Sequence, residues 1–504
     1  MKLLIASPTK AYLLEYTDEE FQTLTKKLTY TNTAVQHLIK RHHNNYNWKQ
    51  RGFDGWNNHL ESLKKDLKPC LVFQEGDRYY IRPGSIPYIA DCFTGLEMEN
   101  NIVYPTIQKM AWKHPPKFNL YPYQEESWIN LLKQKHGHVS ITTGGGKSSI
   151  ILKLCRETGF NAAVVAPSKS IFYELLENFE HHLGKSNVGT FGDSKKKIGK
   201  KITICIGDSL CNIKPDTPEY EFFSNLQAIH TDESHIWGSD SLEQVCHGLF
   251  ANVPYRWFYS GTQVRGDGAQ SLLDSIIGKR VYELTTEQAV TGGFISPHKF
   301  NIVEIDSSSP SFQCNGGLEM KREHVLRNKN ICDFIVKFTN AIVAAKKEQV
   351  LILVEELQQI ADLVKRLTVP YAIAHSETKP ARLLELGLEK VDPLESIEKF
   401  NKGDAKVLIG TATIRTGCNI YPVNHCINWV GGSSEVATRQ GCVGRSVRLA
   451  KHNPWSNKCG LKPFSTIWDF DVKDIYIMGS HLEKRIQFYQ ESGPDLIKYI
   501  RLKS

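Results

Sequence analysis

The sequence predicts an α/β protein with two parallel-sheet domains in tandem, preceded by a small α+β domain. Two observations predict the parallel sheets: short apolar runs alternate with amphipathic stretches from about residue 118, and the apolar runs end in polar residues. This alternation is typical of parallel strands joined by crossover helices, and ligands bind such sheets at the carboxyl ends of the strands. The pattern appears first in NAAVVAP, ITICIG, LQAIHTDESH and RWFYSGT, and again in VLILVEE, AKVLIGTAT and HCINWVGG.

The domain boundaries follow from where this alternation starts and stops. Residues 1–115 lack it and are expected to form the N-terminal domain, ahead of a first α/β domain at 116–305. The polar, glycine-containing segment 306–317 is typical of a connection, so the second α/β domain is placed at 306–470. Residues 471–504 are charged and are predicted to be a mostly helical C-terminal tail.

Composition narrows the class of protein. A chain of 504 residues is long for a single core. The sequence contains no apolar run near the roughly eighteen residues of a membrane span, and its first residues make a poor signal peptide, so we expect a soluble, cytoplasmic protein. Twelve cysteines without a CxxC pair predict free thiols and no structural metal. The net charge of +8 has the sign of a phosphate-backbone binder.

A glycine-rich stretch, HVSITTGGGKSSIILKL, separates a predicted strand from a predicted helix. Glycine clusters are often simple turns, but a strand before and a helix after are the context of a phosphate-binding loop. Backbone N–H groups would hold the β-phosphate, Lys147 would neutralise the β/γ oxygens, and the Ser148 hydroxyl would bind Mg²⁺. Ile141 stands where the common pattern has its first glycine. The predicted ATP-binding residues of the loop are Thr143, Gly144, Gly145, Gly146, Lys147, Ser148 and Ser149.

A pair of adjacent acids, Asp232 and Glu233, ends the apolar strand in AIHTDESH. On a surface such a pair would be unremarkable, but it follows a buried strand downstream of a phosphate loop. Asp232 is therefore predicted to hold Mg²⁺, and Glu233 to orient or deprotonate the attacking water, because phosphoryl transfer needs charge neutralisation and a positioned nucleophile.

From residue 118 to about 470 the chain resembles the superfamily 2 helicases of the DExH type, which are built from two RecA-like domains. The motif order is similar throughout: FNLYPYQEES (Q motif), the phosphate loop (motif I), APSKS (motif Ia), IGDSL (a second strand-contacting motif, Ib), DESH (motif II), YSGT (motif III), TATIRTGCNI (motif V) and TRQGCVGRSVR (motif VI). The resemblance implies that Gln124 reads adenine, with Tyr123 or Phe118 stacking nearby. It also implies that Ser260 and Thr262 couple hydrolysis to domain motion.

In the second domain the resemblance implies that Arg445 and Arg448 act as arginine fingers at the γ-phosphate. They lie three residues apart, which predicts one helix face, and guanidinium geometry makes lysine a poor substitute. Gln440 is a further catalytic candidate, although it lies one position earlier than in many relatives. Gly417 of motif V is a candidate for nucleotide binding, and Asn419 stands where an acid is frequent.

Candidate nucleic-acid contacts come from two sources. The resemblance implies contacts in motifs Ia, Ib and V by Pro167, Ser168, Lys169, Ser209, Thr411 and Arg415. Composition adds a lysine run between two predicted strands, which is either a solvated loop or a phosphate contact, through Lys195, Lys196, Lys197, Lys200 and Lys201.

The N-terminal region mixes basic and aromatic residues between 41 and 65, which suits single strands or fork junctions, although small cores use the same rings. With SGTQVRGDGAQ, this region looks most like the UvsW-type branch-migration helicases of tailed phages, which would place the protein in the host cytoplasm. Arg265 would contact branched duplex or form a turn salt bridge.

The expected protein is thus an ATP- and Mg²⁺-dependent DNA helicase that acts as a monomer on branched or partly single-stranded DNA. Two alternatives stay open: an RNA-dependent ATPase of the same superfamily, since both kinds hold the sugar-phosphate backbone, and a nucleotide-gated binding scaffold without turnover.

Overall fold

The structure is a computed structural model of the 504-residue chain that describes every residue except 46–47, 117–118, 235–236, 238, 262–269, 310–316, 412–413, 415–419, 433–437, 439–441, 450, 452, 460–461, 463, 474, 491 and 502–504. The chain forms two compact units: residues 1–141 with 146–283, and residues 142–145 with 284–504. Among the described helices, none is long and apolar enough to cross a membrane.

The first unit begins with an α+β region on a mixed sheet. Its elements are β1 (Lys2–Ser7), β2 (Lys10–Glu15), α1 (Asp18–Lys27), α2 (Thr33–Asn45), α3 (Trp48–Lys65), β3 (Val72–Glu75), β4 (Arg78–Ile81), α4 (Ile86–Ile89) and β5 (Glu97–Asn100). The described strands are ordered β3-β4-β2-β1-β5. Leu3 and Ile81 of this sheet belong to the same hydrophobic cluster as Val165 and Phe258 of the sheet that follows, so the two sheets share a core.

A larger, mostly parallel sheet forms the rest of the first unit. Its elements are α5 (Pro122–Gln134), β6 (His136–Ile141), α6 (Lys147–Thr158), β7 (Ala162–Ala166), α7 (Lys169–Leu183), β8 (Val188–Gly192), β9 (Lys195–Lys197), β10 (Ile202–Ile206), α8 (Gly207–Leu210), α9 (Pro218–Ser224), β11 (Ala228–Asp232), α10 (Asp240–Gln244), β12 (Tyr255–Ser260), α11 (Gln270–Ile277) and β13 (Lys279–Leu284). The described strands are ordered β13-β6-β12-β11-β7-β10-β8-β9. Strands β7, β10, β11 and β12 are buried along their whole length, as expected of parallel strands covered on both faces.

The second unit is a parallel sheet with covering helices. Its elements are α12 (Thr286–Thr291), β14 (His298–Ile305), α13 (Gly317–Lys321), α14 (Lys329–Lys346), β15 (Val350–Val354), α15 (Leu357–Val364), β16 (Tyr371–Ala374), α16 (Pro380–Leu386), α17 (Pro393–Lys402), β17 (Val407–Gly410), β18 (His425–Trp429), α18 (Gly444–Ser446), α19 (Ser456–Cys459), β19 (Ser465–Val472), α20 (Tyr476–Gln490) and β20 (Ile497–Arg501). The described strands are ordered β16-β17-β15-β18-β19-β14-β20. The predicted fold class, two RecA-like parallel-sheet domains behind an N-terminal α+β region, is confirmed.

The C-terminal residues contain the helix α20 and also a strand that the sequence analysis did not predict. After helix α20 the chain forms β20, which pairs parallel with β14 and so joins the sheet of the second unit. The segment IKYIR keeps Ile497 and Ile500 half-buried between exposed residues. Its two charged residues made this short strand hard to distinguish from a solvated tail.

The lysine run also differs from the predicted loop. Lys195, Lys196 and Lys197 form the edge strand β9, which pairs antiparallel with β8. Asp193 and Ser194 connect the strands with φ angles of 48° and 61°, the left-handed conformation that two-residue hairpin turns require. Neither residue is glycine, so the usual sequence signal of such a turn is missing. We call residues 188–197 the lysine hairpin.

Candidate nucleotide and nucleic-acid site

The sheet order of the first unit brings the predicted motifs to one edge. Strands β6, β12, β11, β7 and β10 are neighbours in that order and run parallel. Their carboxyl ends carry the phosphate loop, Ser260, the acidic pair, APSKS and IGDSL, respectively. The predicted phosphate-chemistry residues therefore lie at one end of this edge, and the predicted strand-contacting residues lie beside them.

The phosphate loop owes its shape to two glycines with left-handed backbone angles. Gly144 has a φ of 87°, and Gly146, which caps the N-terminus of α6, has a φ of 75°. A Cβ atom on Gly146 would lie 2.5 Å from Gln124 Nε2, so the Gln124 amide would have to move away from the loop to admit a side chain. The helix N-terminus after Gly146 carries the partial positive charge that favours a phosphate, and α6 is long enough for that effect.

Lys147 and the acidic pair form a buried cluster. Lys147 Nζ lies 3.4 Å from Glu233 Oε1, and Ser260 Oγ donates a hydrogen bond of 3.4 Å to Glu233 Oε2. Asp232 Oδ1 accepts a hydrogen bond of 3.0 Å from the Glu233 N–H. The predicted motifs I, II and III thus meet at the Glu233 carboxylate.

The electrostatics of this cluster suit a cation. Burial, followed by repulsion from Glu233, raises the pKa of Asp232 to about 7, while Lys147 opposes the shift. A divalent cation would relieve this repulsion, so the carboxylate pair fits the predicted Mg²⁺ ligand, with the half-buried Ser148 on the first turn of α6 as its proposed partner. Glu233 itself has a φ of 50°, an uncommon backbone angle for a side-chain-bearing residue and one found often at functional sites.

The side-chain amide of Gln124 forms hydrogen bonds with backbone groups of the protein. Its Oε1 accepts from the Tyr121 N–H at 2.9 Å, and its Nε2 donates to the Gly146 carbonyl at 3.4 Å. Tyr123 is buried, and its ring stacks on Tyr121 with centroids 5.8 Å apart. Gln124 therefore links the start of α5 to the phosphate loop, and adenine reading by Gln124 and Tyr123 stays a prediction.

In the second unit, the two candidate arginines have different surroundings. Arg445 is buried within the short helix α18, whereas Arg448 follows that helix on a bend, half-buried, with its guanidinium 5.9 Å from the ring centre of Tyr421. The prediction of one shared helix face is therefore wrong, because the helix ends at Ser446.

Sequence reasoning missed the residues that hold this helix end. The Ser446 carbonyl accepts hydrogen bonds from Lys462 Nζ and from Ser465 Oγ, the latter at 2.6 Å. Burial, and then repulsion from Arg448, lowers the pKa of Lys462 to about 7. A lone lysine before a strand gives little signal in sequence, because its partner is a backbone carbonyl.

The strand-contacting candidates of motif Ia are tied to the lysine hairpin. Ser168 caps α7 by accepting from the Ile171 N–H at 3.5 Å, directly after Pro167. Lys169 Nζ lies 2.5 Å from Asp193 Oδ1, and Lys195 Nζ lies 4.4 Å from the ring centre of Tyr173. Motif Ia and the lysine hairpin thus form one basic surface.

The other contact candidates are further apart or outside the described residues. Ser209 is half-buried in α8, and Thr411 follows β17, where its N–H donates to the Ala374 carbonyl at 3.2 Å. Five candidates and the coupling threonine lie outside the described residues: Phe118, Arg265, Arg415, Gly417, Gln440 and Thr262.

Two family models match the chain in the regions just described. Residues 117–258 match the type III restriction enzyme, res subunit, and residues 329–450 match the helicase conserved C-terminal domain. These matches support a superfamily 2 helicase. Helicases of this kind use ATP. Each matched region covers part of one parallel-sheet domain.

Individual proteins are more distant. The DNA 3'-5' translocase XPB2 of Sulfurisphaera tokodaii is 22% identical over 355 residues, which cover 64% of this chain and 77% of the relative. A type ISP restriction-modification enzyme, LlaBIII bound to DNA, is 13% identical with a TM-score of 0.54; the match covers 78% of this chain and 32% of LlaBIII. The structure of T4 UvsW matches 100% of this chain and 99% of its own chain at 13% identity, with a TM-score of 0.42.

Proposed function

We propose that the chain is an ATP-dependent DNA helicase or translocase that unwinds and branch-migrates forked, D-loop and Holliday-type DNA in recombination, repair and replication restart. The observation that carries the hydrolysis part is the meeting of Lys147 and Ser260 at the Glu233 carboxylate. The choice of DNA is supported by the similarity to XPB2, a DNA 3'-5' translocase.

The proposed chemistry assigns one task to each side chain of the cluster. Lys147 and the loop N–H groups bind the phosphates, and Glu233 orients the attacking water and accepts its proton. Asp232 and Ser148 would hold Mg²⁺, which supplies charge neutralisation at the phosphate oxygens. Arg445 and Arg448 stabilise the γ-phosphate charge as arginine fingers, and Gln440 assists them.

Ser260 is proposed to report the state of the site. It binds Glu233 at 3.4 Å and ends β12, the strand between the phosphate loop and the acidic pair in the sheet. A change at the Glu233 carboxylate during turnover would therefore reach β12 directly. Such a link is what a motor needs to convert hydrolysis into the closing and opening that advances it along a strand.

The polymer is held by its backbone in this proposal. Lys169, Lys195 and Lys197 supply charge on the basic surface that motif Ia forms with the lysine hairpin, while Ser168, Ser209 and Thr411 supply hydroxyl or backbone groups. Contacts of this kind carry little sequence information and suit a motor that moves along any sequence. The motor is proposed to act as a monomer.

The test is the ATPase rate with no polymer, single-stranded DNA, duplex, a four-way junction or RNA, for wild type beside Lys147→Ala. We expect the strongest stimulation by DNA and its loss in the variant. Stimulation by RNA alone would replace DNA with RNA in the proposal, and no turnover with any polymer would favour a nucleotide-gated scaffold. Strand displacement on the four-way junction then tests branch migration.

A further inference from the structure

In the N-terminal region two consecutive helices project from the sheet, and backbone hydrogen bonds join the segments that precede and follow them. Residues 33–65, which we call the helical hairpin, comprise α2 and α3. Below it, the Asn32 N–H donates to the Leu67 carbonyl at 2.9 Å, and the Leu71 N–H donates to the Leu28 carbonyl at 3.0 Å. Thr29 and Cys70 form a β-bridge between these bonds. The two arms are therefore fixed where they leave the sheet.

The helical hairpin carries a disproportionate share of the positive charge. Residues 33–65 contain six lysines and arginines against two acids, a net charge of +4, whereas the whole chain has +8. Lys40 and Arg41 of α2 and Lys65 of α3 are exposed. A structural role in a small core would not need this charge, but a phosphate backbone would attract it.

Aromatic rings run from the interior of the helical hairpin to its surface. His42 is buried, and its ring stacks on Trp56 with centroids 5.3 Å apart at an angle of 25°. Trp56 in turn stacks on Phe53 at 6.1 Å and 16°, and Phe53 is 59% exposed. His42 Nε2 also lies 3.1 Å from the Trp56 carbonyl, which joins the two helices. Trp56 thus supports Phe53 from below, and Phe53 exposes much of its ring.

The residue before Phe53, Gly52, has a backbone conformation that interrupts the helix. Gly52 has a φ of 66° and interrupts α3, so the helix axis breaks one residue before the exposed ring. Only glycine adopts that angle without strain, since a Cβ atom would crowd the backbone. No other heavy atom lies within 4 Å of where that Cβ would be, so conformation and not packing selects glycine here.

The N-terminal region that carries the helical hairpin is hydrogen-bonded to the first parallel-sheet domain. Arg82 binds Glu243 and Ser275, the Tyr88 hydroxyl donates to the Gly278 carbonyl at 2.9 Å, and Thr9 Oγ1 donates to the Ala251 carbonyl at 3.3 Å. These bonds add to the shared hydrophobic core of the two sheets. Force applied to the helical hairpin would therefore be transmitted to the first parallel sheet.

From these observations we infer that Phe53 stacks on an exposed base at the junction between duplex and single-stranded DNA, with the basic residues of the helical hairpin on the flanking phosphates. The inference rests on the proposed function, because it assigns the branched part of the DNA ligand to this element. Aromatic faces flanked by cations are how proteins hold unpaired bases, and each such stack contributes enough to bias a fork towards the open state.

The experiment measures binding of a forked DNA with 2-aminopurine at the first unpaired position, and of a linear single strand, by the full-length protein without ATP. Phe53→Ala should weaken fork binding about 5- to 150-fold and remove the fluorescence change of the probe. Phe53→Trp should retain both, because it keeps a stacking face. Leu38→Ala is the matched control, since Leu38 is an apolar side chain of the same helical hairpin and is 46% exposed.

Each outcome is decisive. Equal fork affinity and equal fluorescence for wild type and Phe53→Ala would overturn the inference, as would equal losses for Leu38→Ala and Phe53→Ala. Circular dichroism of each variant checks that the helical hairpin is folded. If the wild-type protein shows no DNA-stimulated ATPase activity, the proposed motor function is overturned. The role of Phe53 can still be tested in that case, because the binding assay needs no ATP hydrolysis.

Discussion

Lys147 Nζ lies 3.4 Å from Glu233 Oε1, and both side chains are largely buried. An ATP γ-phosphate would compete for Lys147 and release Glu233 to act on water. Glu233→Gln should therefore keep ATP binding and lower turnover about 10²–10⁴-fold, because the amide cannot accept the proton. Steady-state hydrolysis and binding of a fluorescent ATP analogue measure the two effects.

Glu97→Gln, at an exposed carboxylate of β5, is the control for that variant and should leave both quantities unchanged. Wild-type turnover in Glu233→Gln would remove Glu233 from catalysis.

Gly146→Ala tests the close approach at the phosphate loop. The added Cβ would lie 2.5 Å from Gln124 Nε2 at a φ of 75°, so ATP affinity should fall at least tenfold. Gly199→Ala is the matched control, because Gly199 has a φ of 82° with nothing within 4 Å of its Cβ position. If the two variants bind ATP equally well, the contact with Gln124 has no role in shaping the loop.

The lysine hairpin should contribute to the salt dependence of DNA binding. Lys195→Gln and Lys197→Gln should each reduce the slope of log K against log salt by about 0.7 on single-stranded DNA, since each phosphate contact releases a counterion. Fluorescence anisotropy over a salt series measures the slope. Lys346→Gln, at an exposed end of α14, is the control. If the lysine hairpin variants have the same slope as wild type, the lysines of β9 are solvated and do not contact DNA phosphates.

The buried ion pair of the second unit should be important for stability. Arg485 of α20 lies 2.7 Å from Asp469, and its guanidinium also donates to the Gly432 carbonyl at 2.7 Å. Arg485→Met would strand a buried carboxylate at a cost of about 3–5 kcal/mol, which lowers the melting temperature by roughly 6–20 °C. Arg501→Met removes the exposed partner of Glu304, which still has Lys473 Nζ 3.9 Å from its carboxylate, and should cost only about 0–1 kcal/mol. Equal shifts in differential scanning calorimetry would contradict this prediction.

Two histidines of β6 should make the first unit sensitive to acid. Burial lowers the pKa of His136 to about 3 and of His138 to about 4, from 6.5. The unfolded chain therefore binds these protons first, so stability is full above pH 6.5 and falls towards pH 4, by roughly 1 kcal/mol per pH unit for each histidine. Melting curves between pH 7.5 and 5 measure this slope. His138→Gln should make it shallower, and a slope equal to that of wild type would contradict the prediction.

The sequence predicts that Lys147 and the acidic pair lie close together, because the signals for both are local. The glycines around Lys147 and the acids after the β11 run are contiguous in the chain, and the alternating pattern places them at strand ends. Their proximity then follows from the rules of parallel sheets, without knowledge of side-chain contacts. The fold class was predictable for the same reason.

What the sequence does not reveal depends on distant partners. Lys462 donates a hydrogen bond to the Ser446 carbonyl, and Arg485 binds Asp469 and the Gly432 carbonyl. Because these partners are distant in sequence, no local spacing indicates that Lys462 or Arg485 is buried. The Asp193–Ser194 turn lacks the glycine that normally marks a left-handed pair, which hid the lysine hairpin. The Ser446 carbonyl at the end of α18 accepts hydrogen bonds from residues 16 and 19 positions further along the chain, which no local pattern indicates.

The position of β20 has a consequence for synthesis of the protein on the ribosome. In the described sheet, β14 is the first strand of the second unit in sequence, and it lies between β19 and β20, which are the last two. While translation proceeds, one edge of β14 therefore stays open until β19 is complete at residue 472, and the other stays open until β20 is complete at residue 501. Open strand edges invite pairing with other chains. Stalled or prematurely terminated translation products should consequently aggregate, and slower expression at low temperature should favour soluble protein.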